Sequence, residues 1–317
     1  MLSGAVGRNA AAGKKRKWGQ MKKHTIAAIG EILWDVLPAT ETLGGAPTNF
    51  TYHVTALAAR GIPISTIGND LRGEKALAEL QLRGVETSGI SVAEGLATGY
   101  VEVCVDRDGS ATYNFPAEAA WDHLQVNDFA HAIRNKLDAV CFGSLAQRSE
   151  DSRRTILAFL DSLNKATVRV FDVNLRQNFY SRDIIEASLG RTDILKLNDE
   201  ELPVLAELLG FREKESEKRL RMLVDRYRLD LAILSRGGGG SLLMTGTDSS
   251  DHPGIATRVV DTIGAGDAFT AAATIGYLEK MALGEINEKA NRLAAYVCTQ
   301  QGAMPHIPEN LKKSVAG

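Results

Sequence analysis

Thr25-Ile26-Ala27-Ala28-Ile29-Gly30 is a short apolar run closed by a glycine, and from it onward such runs alternate with amphipathic stretches. Runs at 25–30, 64–67, 139–142, 168–172, 194–197 and 231–235 read as strands, each bounded by turn residues. Helical patterns fall between or after them at 48–59, 73–83, 152–163, 200–209, 214–226, 265–279 and 286–301. Strand and helix in this order predict an α/β fold, a doubly wound and mainly parallel sheet flanked by helices, with ligands at the carboxyl ends of the strands. One segment breaks the alternation. Val101, Val103 and Val105 share a face, Arg107-Asp108-Gly109 makes a turn, and an apolar run ends at Phe115, the pattern of a β-hairpin.

Of the 317 residues 44% are hydrophobic and 24% charged, which excludes a disordered or collagen-like chain. No apolar stretch has the length of a membrane span, and the first twenty residues lack the apolar core of a secretory signal, so a cytoplasmic protein is expected. Cys104, Cys141 and Cys298 lie far apart in apolar segments and read as buried thiols. The six histidines show no metal-ligand spacing, which argues against a zinc enzyme. Residues 1–23 carry seven Lys or Arg and no acid, leaving 30 basic against 39 acidic residues in the rest of the chain. An acidic body repels nucleic acid, while the short basic tail could touch anionic polymers weakly, so no nucleic-acid partner is expected. The tail reads as a dispensable extension, with Met21 as an alternative start, and residues 24–317 as one domain.

Asp261-Thr262-Ile263-Gly264-Ala265-Gly266-Asp267 precedes an Ala-rich helical pattern. Gly264, Ala265 and Gly266 leave the backbone bare where a helix begins, so their N–H groups form an anion site suited to a phosphate. Asp267, beside that site, is placed to take a proton from a hydroxyl attacking the phosphate, and the helix N-terminus should favour its ionised form. A helix cap and a plain turn fit the same residues. Ser235-Arg236-Gly237-Gly238-Gly239-Gly240 after a strand lets the chain lie flat against a planar or anionic ligand, or forms a surface hairpin. No Walker A loop is present. Asp35, after the first strand, and Asn49, after Gly44-Gly45, suit grips on vicinal hydroxyls, although capping also explains Asn49. Asp172, Asn174 and Arg176 alternate at a strand end, and Asn198 and Glu201 share one side of a starting helix. Each alone reads equally as a solvated strand end.

Together these residues resemble the PfkB, or ribokinase-type, carbohydrate kinases over nearly all of 24–310. The stretch 261–267 matches the family's C-terminal signature in full. Gly44-Gly45 to Asn49 is similar to its N-terminal signature, Asn198 to Glu201 to its Asn-x-x-Glu element, and Ser235, Gly237 and Gly240 to its nucleotide loop, with Ser in place of Thr. Gly-Glu-Ile-Leu-Trp-Asp, Gly-Gly-Ala-Pro-Thr-Asn and Asp-Val-Asn-Leu-Arg look most like bacterial fructokinases, with 2-keto-3-deoxygluconate kinases as the nearest rival. The resemblance implies transfer of the ATP γ-phosphoryl group to a sugar hydroxyl, fructose foremost, with Mg²⁺ and commonly K⁺. It implies Asp267 and the 264–266 turn in catalysis. Asp35, Gly44, Gly45, Asn49, Phe115, Asn174 and Arg176 would hold sugar, and Asn198, Glu201, Ser235, Gly237 and Gly240 the nucleotide. Glu201 would act on Mg²⁺ indirectly, and Asp261, Ile263, Val297 and Gly302 would surround the monovalent cation. Segments 34–44 and 97–118 would form a small lid excluding water from the phosphoryl donor, although the hairpin also reads as a plain extension of the sheet. A homodimer is consistent with the pattern, and a non-catalytic sugar sensor on the same fold is the alternative of another class.

Overall fold

A computed structural model of the protein describes residues 24–38, 40–105 and 111–316. The basic tail and the Arg107-Asp108-Gly109 turn lie outside the described residues, as does the side chain of Cys104. In chain order the strands are β1 (Thr25–Ile29), β2 (Leu33–Val36), β3 (Glu41–Gly44), β4 (Arg60–Gly68), β5 (Ile90–Ala93), β6 (Gly99–Val105) and β7 (Ala111–Asn114). They continue as β8 (Ala139–Phe142), β9 (Val168–Asp172), β10 (Ile194–Asn198), β11 (Leu231–Ser235), β12 (Ser241–Met244) and β13 (Ser249–His252). The helices are α1 (Ala46–Ala56), α2 (Leu71–Leu82), α3 (Asp128–Ile133), α4 (Glu150–Asp161) and α5 (Arg182–Leu189). After them come α6 (Glu201–Leu208), α7 (Ser216–Tyr227), α8 (Ala265–Leu278), α9 (Leu283–Cys298) and α10 (Glu309–Ala316).

Nine strands form one sheet in the order β13-β12-β11-β10-β9-β8-β1-β4-β5, parallel from β11 to β5, with β12 and β13 antiparallel at the edge. Side chains alternate across it. Ala27 and Ile29 of β1 enter a core shared with α4, α5, α6 and α7, whereas Ile26 and Ala28 face α1, α8, α9 and α10. A sheet covered on both faces needs apolar residues at successive positions, which is why these strands read as unbroken apolar runs. The strand order reverses at β1, with β4 on one side and β8 on the other, so a crevice opens at the carboxyl end of β1, where such sheets hold ligands.

The expected hairpin is present as β6 and β7, but it is half of a four-stranded sheet, β3-β2-β6-β7, in which β2 and β6 run parallel. Segment 34–44 supplies the other half. Gly99 opens β6 where a Cβ would stand 2.2 Å from the Trp121 indole nitrogen, so this corner of the small sheet is seated against the body through a missing side chain. α1 starts two residues earlier than its apolar period suggests because Pro47 fits the first turn, where its absent N–H is no loss. Of the thiols expected to be buried, Cys141 is, while Cys298 is only half-buried.

Candidate active site

At the end of β1 the buried Glu31 organises the turn that follows β3. Its Oε1 accepts the Ala46 N–H at 3.2 Å, its carbonyl accepts the Thr48 hydroxyl at 3.3 Å, and Oε2 is buried without a partner. Gly45 caps α1 with φ +101°, and a Cβ there would stand 2.5 Å from the Glu31 carbonyl oxygen. A Cβ on Gly44 would stand 2.7 Å from Asp35 Oδ2. Both glycines are therefore fixed by close approach, Gly45 to the Glu31 backbone carbonyl and Gly44 to the Asp35 carboxylate. Burial pushes Glu31 up to about 7 and Asp35 to about 6, with Arg176 countering both.

Asn49, one turn into α1, is buried and donates from Nδ2 to Asp267 Oδ2 at 2.8 Å, while its Oδ1 meets no partner. The side chain thus does not cap its helix. Its unpartnered oxygen is an acceptor that a hydroxyl would satisfy. Asp267 sits in the first turn of α8, whose N-cap Gly264 has φ +77° and packs so closely that a Cβ would stand 2.6 Å from the Ala303 backbone. The Ala265 N–H turns back to the Thr262 carbonyl at 3.3 Å, whereas the Gly266 N–H has no acceptor among the described residues. The helix N-terminus does not hold Asp267 at an ordinary carboxylate value. Burial, then the neighbouring Asp172, push it up to about 6, against Asn49, Lys196 and Arg176.

Beneath the turn Asp172, noted only as a polar residue at a strand end, forms an ion pair with Lys196 that the sequence reading did not anticipate. Lys196 Nζ stands 3.0 Å from Asp172 Oδ1, and the Thr270 hydroxyl donates to Asp172 Oδ2 at 2.9 Å. Burial opposes the ammonium, yet Asp172, Glu201 and Asp267 push it up to about 12, so it stays charged. A Cβ on Gly266 would come to 3.0 Å from Nζ, which places a fixed cation against the bare turn. A lysine inside the otherwise apolar strand Ile194-Leu195-Lys196-Leu197 was the readable signal, as was an acid directly after Gly30 for Glu31.

Asn198 and Glu201 form a reciprocal cap on α6. Asn198 Oδ1 accepts the Glu201 N–H at 2.8 Å, and Glu201 Oε2 accepts the Asn198 N–H at 2.8 Å. Glu201 Oε1 takes the Leu175 N–H at 2.9 Å, joining the end of β10 to the segment after β9. Among the described residues no three His, Cys, Asp or Glu side chains converge on a metal position. The residues fit Mg²⁺ in the way that ion is commonly held, by phosphate and water with one or two carboxylates nearby.

Asn198, Ser235, Gly237 and Gly240 line one cleft of about 650 Å³ that runs on to Lys196 and Gly266. Gly237 and Gly240 have φ of +51° and +79°, and a Cβ on Gly240 would lie 2.0 Å from the His252 carbonyl oxygen. Asp261 gathers part of the expected cation loop, Oδ1 accepting from Ile263 N–H and Oδ2 from Gly302 N–H, both at 3.0 Å. Val297 lies in the last turn of α9 with its carbonyl bonded to the Gln300 N–H, and it is the carbonyl of the next residue, Cys298, that accepts the Asp261 N–H at 3.3 Å.

Arg176 is exposed, donates to the Leu175 carbonyl at 2.9 Å, and exerts its charge on Glu31, Asp35 and Asp267 together. Asn174 takes the left-handed φ of +44° and gives its carbonyl to the Ser144 hydroxyl. Phe115 stands apart from these groups. Its ring meets Phe179 edge-on at 5.6 Å and lines a separate cleft with Arg148.

Residues 30–310 match the pfkB family of carbohydrate kinases, and the chain belongs to that family. An uncharacterized sugar kinase of Pyrococcus horikoshii is 30% identical over 308 residues, covering 90% of this chain and 94% of that one. Its structure in complex with ATP superposes with a TM-score of 0.77 over 88% of this chain and 94% of that chain. The fructokinase of Salmonella typhimurium is 27% identical over 301 residues, covering 89% of this chain and 96% of its own. No helix among the described residues is long and apolar enough to cross a membrane.

Proposed function

We propose that this carbohydrate kinase transfers the γ-phosphoryl group of ATP to a hydroxyl of fructose, with Asp267 as the general base. The observation that carries the reading is the junction at Gly266, where the Asn49-bound carboxylate of Asp267, a bare N–H and the buried Lys196 ammonium meet the end of a cleft large enough for a nucleotide. The sugar oxygen forms a bond to the γ-phosphorus as the bond to the β-phosphate oxygen breaks. The hydroxyl proton goes to Asp267, and ADP leaves. The transition state is loose, so a weak base suffices. Lys196 and the Gly266 N–H face the charge on the transferring group, and the site is preorganised because Lys196 is fixed by Asp172. Mg²⁺, when bound, would neutralise phosphate charge, with Glu201 and Asn198 nearest to its water shell. K⁺ would sit by Asp261, Ile263 and Gly302.

Asp35, Asn49 Oδ1 and Arg176 offer an anion, an amide oxygen and a five-donor fork to a hydroxyl-rich ring, with the small sheet closing over it as a lid. Arg176 supports a second reading, since a guanidinium also grips the carboxylate of 2-keto-3-deoxygluconate. An ADP-release assay across fructose, 2-keto-3-deoxygluconate, ribose and adenosine tests both. The highest kcat/KM is expected for fructose. A preference for the acidic sugar overturns fructose and keeps the kinase, and no ADP release with any acceptor overturns the whole reading.

A further inference from the structure

One wall of the nucleotide cleft lies outside every motif and rests on a single imidazole. His252, the last residue of β13, has Nδ1 3.0 Å from the Gly254 nitrogen and Nε2 2.8 Å from Glu288 Oε2 on α9. A backbone N–H only donates, so Nδ1 is the acceptor, and the ring proton assigned by these partners sits on Nε2 and points at Glu288. The ring is thus a strut between α9 and the turn after β13. Gly254 lines the cleft and presses on the glycine loop, where a Cβ on it would be 2.8 Å from the Gly238 carbonyl oxygen. Gly240 in turn lies against the His252 carbonyl, so the two turns have one common shape. The charged groups around the ring are Glu288 with its partner Arg292, and Asp251 with Arg236, which also donates to the His252 carbonyl at 3.1 Å.

We infer that His252 is a positioning residue for the nucleotide: the neutral ring, braced by Glu288, fixes Gly254 and through it the Gly237–Gly240 turn in the form that accepts ATP. The inference rests on reading this cleft as the ATP site. His252 touches neither the sugar residues nor Asp267, so its loss should appear in nucleotide affinity alone.

Three substitutions in the full-length protein separate the two ends of the strut, with calorimetric titration of ADP and steady-state KM for ATP as readouts. His252→Leu has neither end. His252→Asn keeps an oxygen where Nδ1 stands, closing an Asx turn on the Gly254 N–H. His252→Gln reaches toward Glu288 but leaves that N–H bare. Removing one neutral hydrogen bond is expected to weaken ADP binding about fivefold in the Leu and Gln variants. The Asn variant should return to within roughly twofold of wild type on the same reckoning, with kcat and sugar KM held within the same margin in all three. Equal ADP affinity in wild type and the Leu variant overturns the inference, and so does an Asn variant as weak as Leu. A parallel fall in kcat and sugar affinity also overturns it, because that marks general loosening. If His252→Leu does not fold, the Gln and Asn variants carry the test by themselves, equal ADP affinity in the two counting against the strut. A wild-type protein that binds no ADP overturns the reading of the cleft itself.

Discussion

The amide nitrogen of Asn49 holds Oδ2 of Asp267 at 2.8 Å, tying the first turn of α8 to a helix laid down more than two hundred residues earlier. The bond fixes which carboxylate oxygen is held and leaves Oδ1 of Asp267 as the oxygen to which the proposed reaction assigns the hydroxyl proton. Asp267→Asn keeps shape and removes the proton acceptor, so kcat should fall by roughly 10²–10⁴ with little change in substrate affinity. A folded variant retaining a third of wild-type kcat would contradict the general-base assignment, since that loss is under about 1 kcal/mol of barrier.

The pH dependence follows from burial. Asp267 is raised from 3.8 to about 6 and must be ionised to accept a proton. kcat/KM for the sugar should therefore rise about tenfold per pH unit below that value and level off above it. Asn49→Ala removes a bond that favours the ionised form and should move the inflection upward. An inflection at an ordinary aspartate value in both proteins would contradict the assignment.

Glu31 makes a prediction about stability. Its carboxyl is raised from 4.5 to about 7, so the fold favours the neutral form. Stability from this group is full below the unfolded value and is lost as pH climbs through the folded one, a swing of roughly 3 kcal/mol. Glu31→Gln should flatten the fall in melting temperature between about pH 5 and pH 8. Calorimetric scans in which wild type and variant decline in parallel would exclude the effect.

Gly44→Ala and Gly240→Ala should fail in opposite ways. The first sets a methyl 2.7 Å from Asp35 Oδ2 and should raise the sugar KM about tenfold or more with ATP KM preserved. The second forces a side chain into φ +79° against the His252 carbonyl, and should raise ATP KM and lower the melting temperature. Steady-state kinetics with each substrate varied in turn would reveal any shared defect.

Lys196→Met leaves Asp172 buried beside Asp267 without its cation. Breaking such a pair typically costs about 3–5 kcal/mol. The double change Lys196→Met with Asp172→Leu should recover most of the stability but not the turnover, because the charge facing the phosphoryl group is still gone. Recovery of both would reduce the ion pair to a structural role.

Much of this arrangement was legible in the chain. The central strands announce themselves because a sheet covered on both faces needs continuous apolar runs, as in Ile194-Leu195 and Leu231-Ala232. A cap or a plain turn would explain the Gly264–Asp267 stretch on its own, and it is readable as a site through its full match to the family signature. β2, β3, β5, β12 and β13 were not read. They are four residues long, and β13, Ser249-Ser250-Asp251-His252, carries no apolar period at all. Their pairing is decided by partners distant in sequence. Lys196, Asp172 and Glu31 lay in stretches already noted, but their roles come from burial and proximity, which spacing does not disclose. Phe115 was expected in the sugar site only through the family resemblance, and its ring packs against Phe179 and under Arg148.

The small sheet has a history as well as a geometry. Its central pairing sets Leu33 opposite Gly99 and Val36 opposite Glu102, so the two strands leave the main chain at distant points and meet in parallel. No local turn can nucleate such a pair, and the loop between them must close first. That closure cost slows the β2–β6 pairing relative to the local β2–β3 and β6–β7 hairpins on either side of it. Because this long-range pair ties the small sheet to the rest of the fold, its amides are expected to exchange no more slowly than those of β1 and β4.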